Sequence, residues 1–114
     1  MNKIKDEISW SEFEKVDLRI GTIVKAEGFP EARKPAYKLT IDLGPIGIKK
    51  SSAQITTVYS KDNLLNKQVI AVINFKPKQI ANFKSECLVL GIQKGKDVVL
   101  LHSGDSVNNG TQVV

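Results

Sequence analysis

The sequence predicts an all-β domain: a small barrel of about five main strands with very little helix. Three observations lead there. Short runs that alternate, or that are continuously apolar and rich in β-branched residues, recur along the chain, as in Val16-Asp17-Leu18-Arg19-Ile20 and Val69-Ile70-Ala71-Val72-Ile73. Turn signals built on Gly, Pro and Asn separate these runs at roughly ten-residue spacing. Only two stretches carry a helical pattern, and both are short.

Taken in order, Ser9-Trp10-Ser11-Glu12 has capping-box spacing, with Ile8 and Phe13 at the staple positions. This predicts a helix over about residues 9–16. It carries Trp10 and Phe13, which either cap the end of the barrel or pack on a second subunit. Val16, Leu18 and Ile20 alternate into a first strand, and Gly21 predicts a bulge or sharp bend within it. Phe29–Pro35 is a loop with two prolines. Ala36–Leu43 alternates as a second strand, and Gly44-Pro45-Ile46-Gly47 turns it into a third that ends near Ile55. Thr56–Leu65 reads as the one internal helix. Val69–Ile73 is a buried strand, after which Pro77 removes a donor and is expected to stop regular pairing. Cys87–Leu90 and Val98–His102 complete the strands, with turns at Gln93–Asp97 and Asn108-Asn109-Gly110 before a short tail.

The strands at 69–73, 87–90 and 98–101 are apolar on both faces, whereas a small barrel needs only its inward face apolar. The expected cover is a symmetric homodimer, the commonest oligomer. Trp10, Phe13, Val98 and Leu100 are the candidate interface residues.

At 114 residues the chain makes one domain, spanning 1–114, with no need of a metal or disulfide to fold. Cys87 is the single cysteine, expected buried and inert, which fits a reducing compartment. No apolar run has the length of a membrane span, and no apolar region follows the N-terminal charges as in a secretory signal. The expected location is the cytoplasm. Net charge is +5, and its distribution is uneven: residues 30–84 hold ten Lys/Arg against three acids. Such a middle suits a face that meets phosphates or acidic peptide. His102 is the single histidine, and one His with one Cys cannot build a structural zinc site. No glycine-rich phosphate-binding motif occurs, and no serine has a base nearby in sequence. The chain therefore reads as a binding module, with neither enzymatic activity nor a cofactor expected.

Several ordered blocks resemble a known family. Asp17-x-Arg19-x-Gly21-x-Ile23, Ala36-x-Lys38-Leu39 with Ile41-Asp42-x-Gly44, and Val72-x-Asn74 with Pro77 and Ser85 are similar to the tRNA-binding OB-fold family. Within it, Phe29–Arg33, Ser51–Thr56 and the stretch Asn74–Glu86 most resemble CsaA-type secretion chaperones. This resemblance implies a five-stranded OB-fold barrel and a small cytoplasmic homodimer that binds unfolded preproteins for export. The sequence departs from the tRNA-binding branch at Ala53-Gln54 and Glu86-Cys87, where that branch typically has Ser-Gly and Gly-Met, and at Tyr37, where it often has Asp. Loss of the glycines disfavours close backbone approach by tRNA, although Lys38, Asn74 and Ser85 carry over.

Two mechanisms compete for the same face. In the first, Ile55, Phe75, Ile80, Phe83 and Ser85 line an apolar pocket, fringed by Lys38, Lys49, Asn74, Lys76, Lys78 and Lys84, that holds unfolded clients without ATP. The alternative use of the apolar residues is to plug the mouth of the barrel. In the second, the same cations hold tRNA and Tyr37, Tyr59 or Phe75 stack on bases. A scaffold role for one folded partner stays open.

Overall fold

The computed structural model describes residues 3–114, and its centre is a five-stranded antiparallel sheet curled into a nearly closed barrel. The strands are β1 (Leu18–Gly28), β2 (Tyr37–Asp42), β3 (Ile48–Ala53), β4 (Gln68–Val72) and β7 (Leu88–Val89), ordered β3-β2-β1-β4-β7. Two small ribbons complete the β structure: β5 (Lys78–Ile80) with β6 (Phe83–Ser85), and β8 (Gly91–Lys94) with β9 (Asp97–Leu100). The all-β barrel expected from the sequence is the fold observed.

The long first strand makes the barrel possible. Its first half pairs with β4, from Leu18↔Val72 to Thr22↔Gln68, and its second half with β2, ending at Gly28↔Tyr37. The register slips between Ile23 and Lys25, so the bulge lies at Val24 and not at Gly21 as the sequence suggested. Gly21 answers a different need. A Cβ there would stand 2.5 Å from Ile41 Cγ2 and 2.8 Å from Leu43 Cδ2, so the glycine lets β2 close over β1. The chain's last residues are more than a loose tail. Gly110 N donates to Ile20 O (2.7 Å), Ile20 N to Thr111 O (3.0 Å) and Val113 N to Leu18 O (2.8 Å), which covers the free edge of early β1. Arg19 secures this strap by donating to Asp17 (2.6 Å) and to the Gly110 carbonyl (3.2 Å).

The core is the inward face of the barrel, formed by Ile23, Leu39, Ile41, Leu43, Val69 and Ala71 with Ile55, Leu64, Cys87 and Leu100. Burying each of its large aliphatic side chains is worth about 1.5–3 kcal/mol.

Three expectations need correction. The internal helix is only α2 (Lys61–Leu64), because Ser60 turns the chain and caps it, its Oγ accepting from Asn63 N (3.1 Å). Pairing does not end at Pro77: β5 begins at the next residue, and the hairpin is turned by Ala81-Asn82, with Ala81 at φ 50°. Alanine in that conformation gives no turn signal in the sequence. Finally, Leu100 is 3% exposed and belongs to the core, with Val98 packed against it, so neither side chain lies free on an outer face. The N-terminal helix, α1 (Trp10–Glu14), has the expected capping box, and its Trp10 stands 74% exposed.

Candidate functional site

Three elements meet beside the seam where the barrel closes: the loop after β1, the end of β3, and the β5–β6 hairpin. The seam is stitched partly by side chains. Glu86 N donates to Lys50 O (2.7 Å), while the Glu86 carboxylate accepts from Lys50 N (3.0 Å). Ser52 N donates to Ser85 Oγ (3.2 Å), and the buried Ser51 hydroxyl donates to Cys87 O (2.8 Å). The hairpin is anchored to the loop by aromatic packing. Phe83 meets the buried Phe29 edge-on, centroids 5.4 Å apart, and Lys38 Nζ lies 5.5 Å from the Phe29 ring centroid.

The hairpin divides the surface into two concavities. The larger, about 620 Å³, is bounded by Glu31–Lys34 and Ala36, by Ser52 and Gln54, and by Lys78–Ala81. The smaller, about 280 Å³, is bounded by Phe75, Lys76, Lys78 and the run Ser85–Leu88. Lys78 borders both. Among the described residues the ion pairs are Arg19–Asp17 and Lys25–Glu27, so Arg33, Lys34, Lys76 and Lys78 present unpaired charge to these hollows. Phe75 is 56% exposed at the smaller one.

The residues expected to form one pocket are therefore distributed. Phe75 and Ser85 border the smaller hollow and Ile80 the larger, while Phe83 is spent on Phe29. Ile55, expected on the pocket wall, is 4% exposed and packs in the core. Of the expected cations, Lys76 and Lys78 rim the hollows, Lys38 covers Phe29, Lys84 projects from the hairpin, and Lys49 is half-buried on β3. Asn74 clamps the start of the barrel, its side chain accepting from Asp17 N (3.0 Å) and donating to Lys15 O (2.6 Å). Tyr37 and Tyr59 spend their hydroxyls internally, on Tyr59 O (2.8 Å) and on Leu100 N (3.0 Å). The sequence reading places Ser52 and Gln54 in a family-like block and Arg33-Lys34 in a two-proline loop, but assigns none of them, nor Gln79, to the site; the prolines flanking that basic pair are the visible signal.

No group of three or more His, Cys, Asp or Glu among the described residues could hold a metal ion, and no helix among them is long and apolar enough to cross a membrane. Cys87 sits in the wall of the smaller hollow. Burial, assisted by Glu86, pushes its thiol up to about 11, so it stays protonated and unreactive near neutrality.

Residues 18–112 match the family model of the tRNA binding domain. The chain belongs to the tRNA binding domain family. Two solved structures place this tRNA binding domain in the CsaA branch. The chaperone CsaA of Bacillus anthracis is 48% identical, with a TM-score of 0.90 over 96% of this chain and 100% of that one. The CsaA chaperone protein of Picrophilus torridus is 51% identical, with a TM-score of 0.89 over 95% of this chain and 100% of that one. The methionine–tRNA ligase of Pyrococcus furiosus is 36% identical over 93% of this chain, and that of Thermococcus onnurineus 33% over 93%. The chain spans 14% of the length of each of these ligases, which is a stretch within the much longer enzymes. The motif residues sort by role: Asp17, Arg19, Gly21 and Asn74 hold the barrel, Lys38 lies over Phe29, and Ser85 borders the smaller hollow while accepting from Ser52 N.

Proposed function

We propose that this tRNA binding domain protein is an ATP-independent holding chaperone, binding unfolded preproteins in the cytoplasm for hand-over to the export machinery. One observation carries the reading. In a chain 48% identical to a chaperone over its whole length, two cation-fringed hollows with apolar surface flank a single hairpin. Burying one client Leu or Phe there is worth about 1.5–3 kcal/mol, enough for weak, sequence-tolerant holding. A homodimer built through the exposed Trp10 and Phe13 would offer two such sites to one extended chain and gain by effective concentration.

The test is suppression of client aggregation. Phe75→Ser should lower it severalfold at unchanged circular dichroism, since Phe75 is exposed and the core does not use it. Unchanged suppression by the variant would remove Phe75 from the site.

A second reading, structure-selective tRNA binding, is favoured by the family's name and by the unpaired Arg33, Lys34, Lys76 and Lys78. Salt separates the two, because each phosphate contact steepens the logarithmic salt dependence by about 0.7 on single strands or 0.9 on duplex. Steep loss of labelled tRNA with retention of an unfolded peptide is expected. Tight, tRNA-selective binding at physiological salt would reverse the ranking.

A further inference from the structure

We propose that the polypeptide occupying the larger hollow docks as an added β-strand on the exposed end of β3. This inference rests on the peptide-holding reading and specifies how the chain is held. In an antiparallel ladder the amide and carbonyl of one residue point the same way, and successive residues alternate. Lys50 and Ser52 point theirs away from β2, because Glu86 and Ser85 on the other side of the seam satisfy Lys50 O, Lys50 N and Ser52 N. Ser52 O points that way too by the same alternation, and Gln54 follows directly after Ala53, the last residue of the ladder. No backbone bond from Gln54 is found among the described residues. The larger hollow opens here, lined by β5 and the hairpin turn on one side and bordered directly by Ser52 and Gln54. The barrel thus leaves a short piece of strand edge open inside a cleft, where a folded partner's edge is excluded and a flexible chain can enter.

The surroundings select the occupant. The rest of the lining includes Ile80 and the small side chains of Ala32, Ala36 and Ala81, with Arg33, Lys34 and Lys78 against Glu31 alone. The fitting guest is an extended segment with modest apolar side chains and at least one carboxylate. Main-chain bonding supplies affinity without reading sequence, which is what a holder of many unfolded clients requires.

The experiment uses the full chain and a short fluorescein-labelled peptide in which valine alternates with serine and glutamate. Two isomers carry backbone N-methyl groups, one on the valines and the other on the polar residues. Only one set of amides faces β3, so one isomer should bind about tenfold more weakly than the unmodified peptide and the other nearly as well. Gln54→Pro removes the open amide and should weaken the unmodified peptide by about as much. Lys34→Glu should shift preference towards the same peptide with lysine in place of glutamate. If both isomers bind like the unmodified peptide, or lose affinity equally, strand addition is overturned while peptide holding stands. If the unmodified peptide does not bind at all, both ideas fall. Binding of a single-stranded RNA that is lost in Gln54→Pro, with no peptide binding, would give the hollow to nucleic acid.

Discussion

Gly21 and Cys87 show how single residues are set by their neighbours. Gly21 is extended backbone that any residue adopts, and its constraint is space: a methyl group would press on Ile41 and Leu43. Gly21→Ala should therefore destabilise the barrel by about 1–3 kcal/mol, the usual range for overpacking, read from the midpoint of urea unfolding. Cys87 makes a pH prediction. Its folded pKa, about 11, lies above the ordinary 9.0, so the folded state holds the proton more tightly. The stability this gives is full below pH 9 and is lost as pH rises to about 11, because the unfolded thiol ionises first. The difference in Tm between the protein and Cys87→Ala should accordingly shrink across that window. Iodoacetamide should label the native thiol slowly at pH 8 and the unfolded thiol quickly.

Among the elements, the β5–β6 hairpin carries most of the site and was the least visible in the sequence. β4 ends at Val72, ahead of Pro77, and pairing resumes at Lys78, because three residues on each side suffice for a ribbon when Phe83 can anchor it on Phe29. Its turn places Ala81 at φ 50°, in the left-handed region where an L side chain costs about 1–2 kcal/mol. Ala81→Gly should relieve part of this and stabilise by up to about 1 kcal/mol after the extra chain entropy of glycine. An unchanged urea midpoint would mean that the turn stores no strain. Elsewhere, α1 was legible down to its cap because Ser9 and Glu12 act within one turn. The second helix is shorter than the Thr56–Leu65 pattern suggests because Ser60, paired with Asn63, caps its start.

For the whole molecule, the open question of partners turns on exposed apolar surface. Trp10 and Phe13 pack on each other, centroids 6.1 Å apart, and Ile8 and Val16 are exposed on the same short segment. Leu88 and Ile92 are further exposed aliphatics, on β7 and β8. The homodimer proposed through this surface predicts a light-scattering mass twice the 12.6 kDa of the chain at micromolar concentration. Trp10→Ser should lower that mass towards the monomer without loss of β structure, and a monomeric parent protein would remove the dimer. Charge also acts at this scale, since Arg33 and Lys34 from the loop after β1 and Lys76 and Lys78 at the start of the hairpin, distant in sequence, come together at the two hollows.

The sequence by itself determined the barrel class, the positions of the main barrel strands, the inert cysteine and the family, since periodicity, turn residues and local caps act over a few neighbours. Tertiary structure alone decided which apolar residues face inwards and which remain for a ligand. Ile55 and Phe75 look equally available in the sequence, yet one lies in the core and the other stands in solvent. That choice depends on where the barrel seam closes and where the hairpin leaves it, and both are set by contacts between residues more than thirty positions apart.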